Sequence, residues 1–337
     1  MSLPFGKIPA NLLEEVVFKN LGVKRKEVIV RPSIGLDGTV IDVNGKSLIV
    51  SMDPITGALK RIGWLAIHIN ANDVATFGVE PTLFLSCILL PEGARREIVE
   101  TITMQMDKAA KELEIAIVGG HCEVTPGLKN PIVIGCAMGV TEGKNYVTSA
   151  GAKPGDKLIL TKSAGIEGTA ILATDREKQL KKVLDPVMLR NAKNFYNYIS
   201  IVKDALLAYK TGGVNAMHDP TEGGVLGGIH EMADASNLGV KIFEEKIFVR
   251  EETAKICDFF GIDPLQLIGS GALLISVKPE FADEIIKTLK NDGIYASIIG
   301  EFIQNSKERT FIRKDNETQA LPRPVCDHLW IALHKGR

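Results

Sequence analysis

Apolar and polar positions alternate through Thr39, Val40, Ile41, Asp42 and Val43, and again from Lys46 to Met52, with Asn44-Gly45 between the two runs. Period-two alternation marks a half-buried strand, and Asn-Gly supplies the two left-handed residues of a tight type I′ turn. The pattern predicts a hairpin with Val43 opposite Lys46. Continued outward, that register sets Asp37 opposite Met52, beside Asp53. A helix is predicted from Asn11, with Glu14 as its capping-box partner. Leu12, Leu13, Val16, Val17 and Leu21 form its apolar face, and Gly22 ends it. Residues 62–77 are rich in Ala, Ile and Leu and reach stops at Gly78 and Pro81, as a buried helix does. Residues 83–90, 115–118 and 132–138 read as strands. Ile98, Ile102, Met106, Ala109 and Leu113 form the stripe of an amphipathic helix.

Turn residues concentrate over 149–156, which predicts a domain boundary there. A strand at 158–161 restarts the alternation, followed by a Lys-rich helical region over 175–209 and a glycine-dense stretch over 212–228. A helix to about Ala235, a strand at 271–277, a helix at 281–291 and a strand at 296–299 complete the pattern. The expectation is a mixed α/β chain in two domains, 1–148 and 156–312, followed by a tail at 313–337.

Composition narrows the function classes. Among the 337 residues, 40 Lys and Arg nearly cancel 41 Asp and Glu, so no global field would hold a nucleic-acid backbone. No apolar run is long enough to span a bilayer, and the first residues lack the pattern of a secretion signal. The five cysteines are scattered without a Cys-x-x-Cys, which fits a reducing cytoplasm.

Three aspartates, Asp37, Asp53 and Asp73, fall at or near element ends. Asp37 and Asp53 taken singly are turn residues. Asp73 lies inside the buried helix, three residues after Asn70 and on the same side. A carboxylate there needs a partner, either a Lys or Arg or an oxygen-seeking cation such as magnesium. Glycine-rich turns occur at 119–127, 163–168 and 219–224. The last two lead into predicted helices, whose N-termini favour an anion such as phosphate. His121-Cys122-Glu123 is expected in a loop, with Cys122 a packed thiol, and His68 and His230 are expected to be structural.

In order along the chain, Gly35-Leu-Asp-Gly-Thr-Val-Ile, Ser51-Met-Asp-Pro-Ile-Thr-Gly, Asn72-Asp-Val-Ala-Thr-Phe-Gly-Val-Glu-Pro, Gly119-Gly-His-Cys-Glu, Met217-His-Asp-Pro-Thr-Glu-Gly-Gly and Leu267-Ile-Gly-Ser-Gly-Ala-Leu-Leu resemble the AIR synthase superfamily. Asp-Pro-Thr-x-Gly-Gly is especially similar to its hydrogenase expression/formation (HypE) branch. The resemblance implies an α/β (α+β) fold: an N-terminal domain that pairs with a second subunit into a shared β-barrel, and a C-terminal α/β sandwich. It implies a homodimer binding ATP and Mg2+, with hydrogenase-maturation proteins as partners. By position, Asp37, Asp53 and Asp73 match the acidic residues that hold Mg-ATP, with Asn72 beside them. Gly119, Gly120 and Glu123 match a loop lining the same cleft, Asp219 and Thr221 match a second-domain loop facing it, and Lys7 matches a lysine of the N-terminal arm. Asp73 and Asp219 are the implied catalytic residues. The implied reaction is ATP-dependent activation of a substrate oxygen. A non-catalytic nucleotide-binding scaffold and a small-molecule kinase like thiamine-monophosphate kinase remain alternatives. The chain departs from the branch at Cys326, which lies well before Arg337 where a terminal cysteine is the pattern, and at His121-Cys122.

Overall fold

Two sheets carry the chain, and each belongs to its own compact unit in this computed structural model, which describes residues 6–334. The N-terminal unit comprises Arg25–Arg31 and Asp37–Tyr146. The C-terminal unit comprises the segment ending at Lys24, Pro32–Leu36 and the chain from Val147 onward. The change of unit at Val147 falls beside the turn-rich segment. Residues 6–24 group with the C-terminal unit, and so do residues 313–334.

The first described helix, α1 (Ala10–Leu12), is a single turn continued by a π turn at Leu13–Val17. Pro9 precedes it and no side chain caps it, so the predicted capping box does not form. Asn11 lies inside the turn instead of ahead of it.

In the N-terminal unit, β1 (Val28–Val30), β2 (Thr39–Val43), β3 (Lys46–Ile55), β4 (Leu83–Leu90), β5 (Ala116–Val124) and β6 (Ile132–Glu142) form one sheet in the order β1-β2-β3-β6-β4-β5. Only β4 and β5 pair in parallel. The β2–β3 hairpin has the predicted register, Val43 opposite Lys46, with Asn44 and Gly45 at φ 54° and 87°. Two helices, α2 (Ile62–Ala75) and α3 (Arg96–Glu112), accompany the sheet, and α2 packs against β3, β6 and α3. Val40, Ile49, Phe84, Val133 and Ala137 line the buried face, and every residue of α2 is buried. The opposite face leaves Met52, Leu85 and Val140 exposed.

In the C-terminal unit, β7 (Lys157–Thr161), β8 (Val214–His218), β9 (Gly239–Phe243), β10 (Leu274–Val277), β11 (Ala296–Ile303), β12 (Arg309–Ile312) and β13 (Thr318–Ala320) form a sheet ordered β13-β12-β9-β11-β7-β10-β8. Its helices are α4 (Ile166–Asp175), α5 (Glu177–Leu180), α6 (Pro186–Lys193), α7 (Val202–Thr211), α8 (Gly224–Ala235), α9 (Glu251–Phe260), α10 (Pro279–Asn291) and α11 (His328–His334). The Lys-rich region is therefore several short helices. Asp185 starts α6 by accepting the N–H groups of Val187 and Met188, with Pro186 in the first turn. Among the described residues, no helix is long and apolar enough to cross a membrane.

Candidate active site

Alternation along β3 turns Ser47, Ile49 and Ser51 inward. A buried hydroxyl must find a partner, and Ser51 has two within reach. Its Oγ lies 2.7 Å from the Asp37 carbonyl oxygen and 2.7 Å from Asp73 Oδ2. One hydroxyl proton serves these acceptors in turn, tying the start of the hairpin to the α2 carboxylate. Asp53 is held one turn earlier on the helix. Asn70 Oδ1 accepts the Asp53 N–H at 2.7 Å, while its Nδ2 donates to Ala66 O at 2.9 Å and Asp53 O at 3.3 Å. Gly135, paired with Asp53 across β3–β6, gives Asn70 its space, because a Cβ there would overlap Asn70 Nδ2 and the Phe84 ring. Asn72 is fully buried on the same helix, and Thr76 Oγ1 donates to Asp73 O at 2.7 Å.

The sequence pointed to Asn70 by its spacing from Asp73 but missed Ser51. The signal was present: a serine at an inward position of an alternating strand. Within this unit, no three His, Cys, Asp or Glu ligand atoms lie within 4.8 Å of one another among the described residues. The three aspartates thus hold neighbouring elements together without forming a closed cage of carboxylates. On the same helix, His68 stacks on Trp64 with ring centroids 3.8 Å apart, and burial pushes its pKa down to about 3.

Gly119, Gly120 and Glu123 were expected in a loop; they lie in β5, at the sheet edge. Glycine serves close strand approach here, since a Cβ on Gly120 would overlap the Ser86 carbonyl oxygen. Asp53, Gly135, Ser86 and Gly120 are successive partners across β3, β6, β4 and β5. Three interstrand steps put Gly120 about 14 Å from Asp53. One copy of the chain therefore does not bring these residues beside the aspartates. All of β5 is exposed, including Ile117, Val118, Cys122 and Val124. Glu123 accepts from Thr125 Oγ1 at 2.8 Å and lies 3.1 Å from His121 Nε2, and these contacts, Thr125 first, hold its pKa below the ordinary value.

In the C-terminal unit, β8 ends at His218 and the 219–224 loop feeds α8. Gly223 and Gly224 both have positive φ, 84° and 62°, and a side chain on Gly224 would overlap the carbonyls of Leu265 and Leu267. Asp219 is buried. The carbonyl of Thr221 accepts from Gly224 and Gly269 N–H groups at 3.0 and 3.3 Å. Lys7 meets this same element. Its N–H donates to Glu222 Oε2 at 2.8 Å and its Nζ lies 3.2 Å from Glu231 Oε1, while His218 Nε2 is 2.8 Å from Glu231 Oε2. Burial works to raise the Glu231 pKa, but Lys7 and His218 outweigh it and bring it to about 2. Neither Glu222 nor Glu231 was singled out from sequence.

At each helix N-terminus expected to favour phosphate, one N–H is engaged within the protein. At α8 the Gly223 N–H donates to Asp327 Oδ2 at 2.7 Å, and at α4 the Gly168 N–H donates to Ile268 O at 3.1 Å. Cys326, expected within a helix, is exposed in the bend just before α11.

Residues 35–141 match the N-terminal domain, and residues 153–313 the C-terminal domain, of AIR synthase related protein. A putative hydrogenase expression/formation protein of Methanocaldococcus jannaschii is 30% identical over 310 residues, 88% of each chain. Carbamoyl dehydratase HypE of Escherichia coli is 30% identical over 263 residues, 77% of this chain and 75% of that protein. Among solved structures, hydrogenase maturation protein HypE in complex with ATP shares the fold, with a TM-score of 0.72 at 21% identity and 96% of each chain covered. With both domains matched in order and a relative aligned over most of its length, this chain belongs to the AIR synthase related family, among its hydrogenase expression/formation proteins.

Proposed function

We propose that the chain is a homodimeric, cytoplasmic, Mg-ATP-dependent enzyme of hydrogenase maturation that activates a substrate oxygen by phosphorylation. A dehydratase needs such a step: the oxygen attacks the γ-phosphorus, ADP departs, and the oxygen then leaves as phosphate. The observation that carries the proposal is the Ser51 hydroxyl between Asp73 and the Asp37 backbone, with Asp53 pinned to the same helix by Asn70. This is an all-oxygen donor set on a buried support, as a hard cation requires. Magnesium usually takes one or two carboxylates and fills its octahedron with phosphate oxygens and water. The absence of a closed carboxylate cage among the described residues of this unit suits such an ion better than one held by protein alone.

In this reading Asp37, Asp53 and Asp73 line the Mg-ATP site, with one or two of them on the ion and the others meeting it through water, and Asn72 supports the nucleotide beside them. The ion supplies charge neutralisation on the phosphates. Asp219 orients the substrate oxygen, and Thr221 and Lys7 contact phosphate. Gly119, Gly120 and Glu123 join the site from a second copy. The exposed β5 edge and the uncovered apolar face around Met52, Leu85 and Val140 support that pairing. Five free thiols accord with a reducing compartment, and other maturation proteins are the expected partners.

The test is product analysis with Mg-ATP and a carbamoylated thiol. Asp219→Ala is expected to abolish turnover while nucleotide still binds. Tight nucleotide binding with no product from the wild type would mark a scaffold instead. Phosphoryl transfer to thiamine monophosphate would mark a small-molecule kinase.

A further inference from the structure

We propose that Asp327, in the last described stretch of the chain, is a positioning residue that sets the conformation of the 219–224 loop. Its side chain is buried and makes two bonds at once. Oδ2 accepts the Gly223 N–H at 2.7 Å, and Oδ1 accepts the Leu329 N–H at 2.7 Å. The first bond caps α8, for which no residue of its own loop supplies a side-chain cap. The second starts α11, so one carboxylate joins two helix N-termini far apart in sequence. A negative group at both ends also complements the helix dipoles. Burial raises the Asp327 pKa to about 6, against the pull of the Leu329, Gly223 and Ile268 N–H groups, whose donation favours the charged carboxylate.

The location gives the bond its consequence. Gly223 is left-handed, and its N–H is one of the points at which the loop is held. The segment that brings Asp327 there is tied down on both sides. Arg323 Nη2 lies 2.8 Å from Asp234 Oδ2, His230 Nε2 is 3.2 Å from Pro322 O, and His328 Nδ1 accepts the Asp263 N–H at 2.9 Å. The loop is thereby gripped from the chain's end at Gly223 and by the N-terminal arm at Glu222. Asp219 and Thr221 lie on the same loop, so its conformation fixes where their side chains stand.

The link to turnover rests on the activity proposed above; the link to loop geometry does not. Both are measured on the full chain carrying Asp327→Ala or Asp327→Asn. In Asp327→Ala the Gly223 amide is expected to exchange at least about tenfold faster, because the carboxylate that accepts its N–H is gone. kcat should fall by a similar factor, and Mg-ATP binding should weaken with it, because Thr221 rides on the same loop as Asp219. Asp327→Asn keeps the shape and one acceptor oxygen, and should fall between wild type and alanine in both readouts; it also carries the comparison if the alanine protein does not fold. Unchanged Gly223 exchange overturns the proposal, and so does faster exchange with unchanged kcat. A wild type without turnover defeats the proposed activity, and Gly223 exchange then decides the loop claim alone.

Discussion

Replacing Asn70 by alanine removes three hydrogen bonds from a site with no exposed surface: the acceptor for Asp53 N–H and the donors to Ala66 O and Asp53 O. Leaving a backbone N–H without an acceptor inside a protein costs about 1–3 kcal/mol. The void left by the carboxamide adds roughly 1 kcal/mol, since β3 and α2 relax only in part. Together these predict a loss of about 2–4 kcal/mol. Asn70 lies in the N-terminal unit, so the loss is followed with a probe in that unit. The chain has two tryptophans, Trp64 on α2 and Trp330 on α11, so Trp64 fluorescence in a Trp330→Phe background reports the right unit. Urea unfolding should show an earlier midpoint at an unchanged slope. Mg-ATP affinity should fall at least about tenfold as Asp53 leaves its support. A stability change under about 0.5 kcal/mol, or unchanged Mg-ATP affinity, would refute the claim that Asn70 holds Asp53 in place.

Three further predictions concern other parts of the molecule. Lys162 and Asp204 form a buried ion pair at 3.0 Å, so Asp204→Ala should destabilise the C-terminal unit by about 3–5 kcal/mol, measured by unfolding followed at Trp330; a loss below about 1 kcal/mol would show the pair to be dispensable. Burial brings the His68 pKa to about 3 in the folded chain, against 6.5 for an ordinary histidine, and outweighs the exposed Glu112 carboxylate at 3.6 Å. The unfolded chain therefore takes up this proton first, and stability present above pH 6.5 should be lost as pH falls from there towards 3. His68→Phe should flatten that limb of the stability profile; an equally steep limb would assign it to other groups. Val118→Lys, on the exposed β5 edge, should convert the proposed dimer to a monomer by light scattering, and an unchanged mass would contradict pairing through this edge.

Local chemistry was the legible part of the fold. Asn44-Gly45 defined the hairpin and its register because a type I′ turn admits few other residues. The uniform apolarity around α2 identified a buried helix, and its polar residues Asn70 and Asp73 are the ones that bond to β3. Gly119-Gly120 misled because glycine marks a loop and a close strand approach equally well; only the neighbouring Ser86 carbonyl distinguishes them. Asn11 failed as a cap because Pro9 already starts the turn two residues earlier. Ser51 was visible in principle as a polar residue on an inward face. Asp327 on Gly223 and Lys7 on Glu231 were not visible at all, since pairing over such separations depends on tertiary packing.

Mg-ATP binding by calorimetry, comparing wild type with Asp73→Asn, is the most direct test of the proposed site. The substitution keeps the shape of the side chain and an oxygen for Ser51 while removing the charge offered to the cation. The wild type should bind ATP only with magnesium present, and the variant should lose at least about tenfold, or 1.4 kcal/mol, with Trp64 unfolding little changed. Equal affinity in the two proteins, or ATP binding indifferent to magnesium, would contradict a carboxylate-held ion on α2.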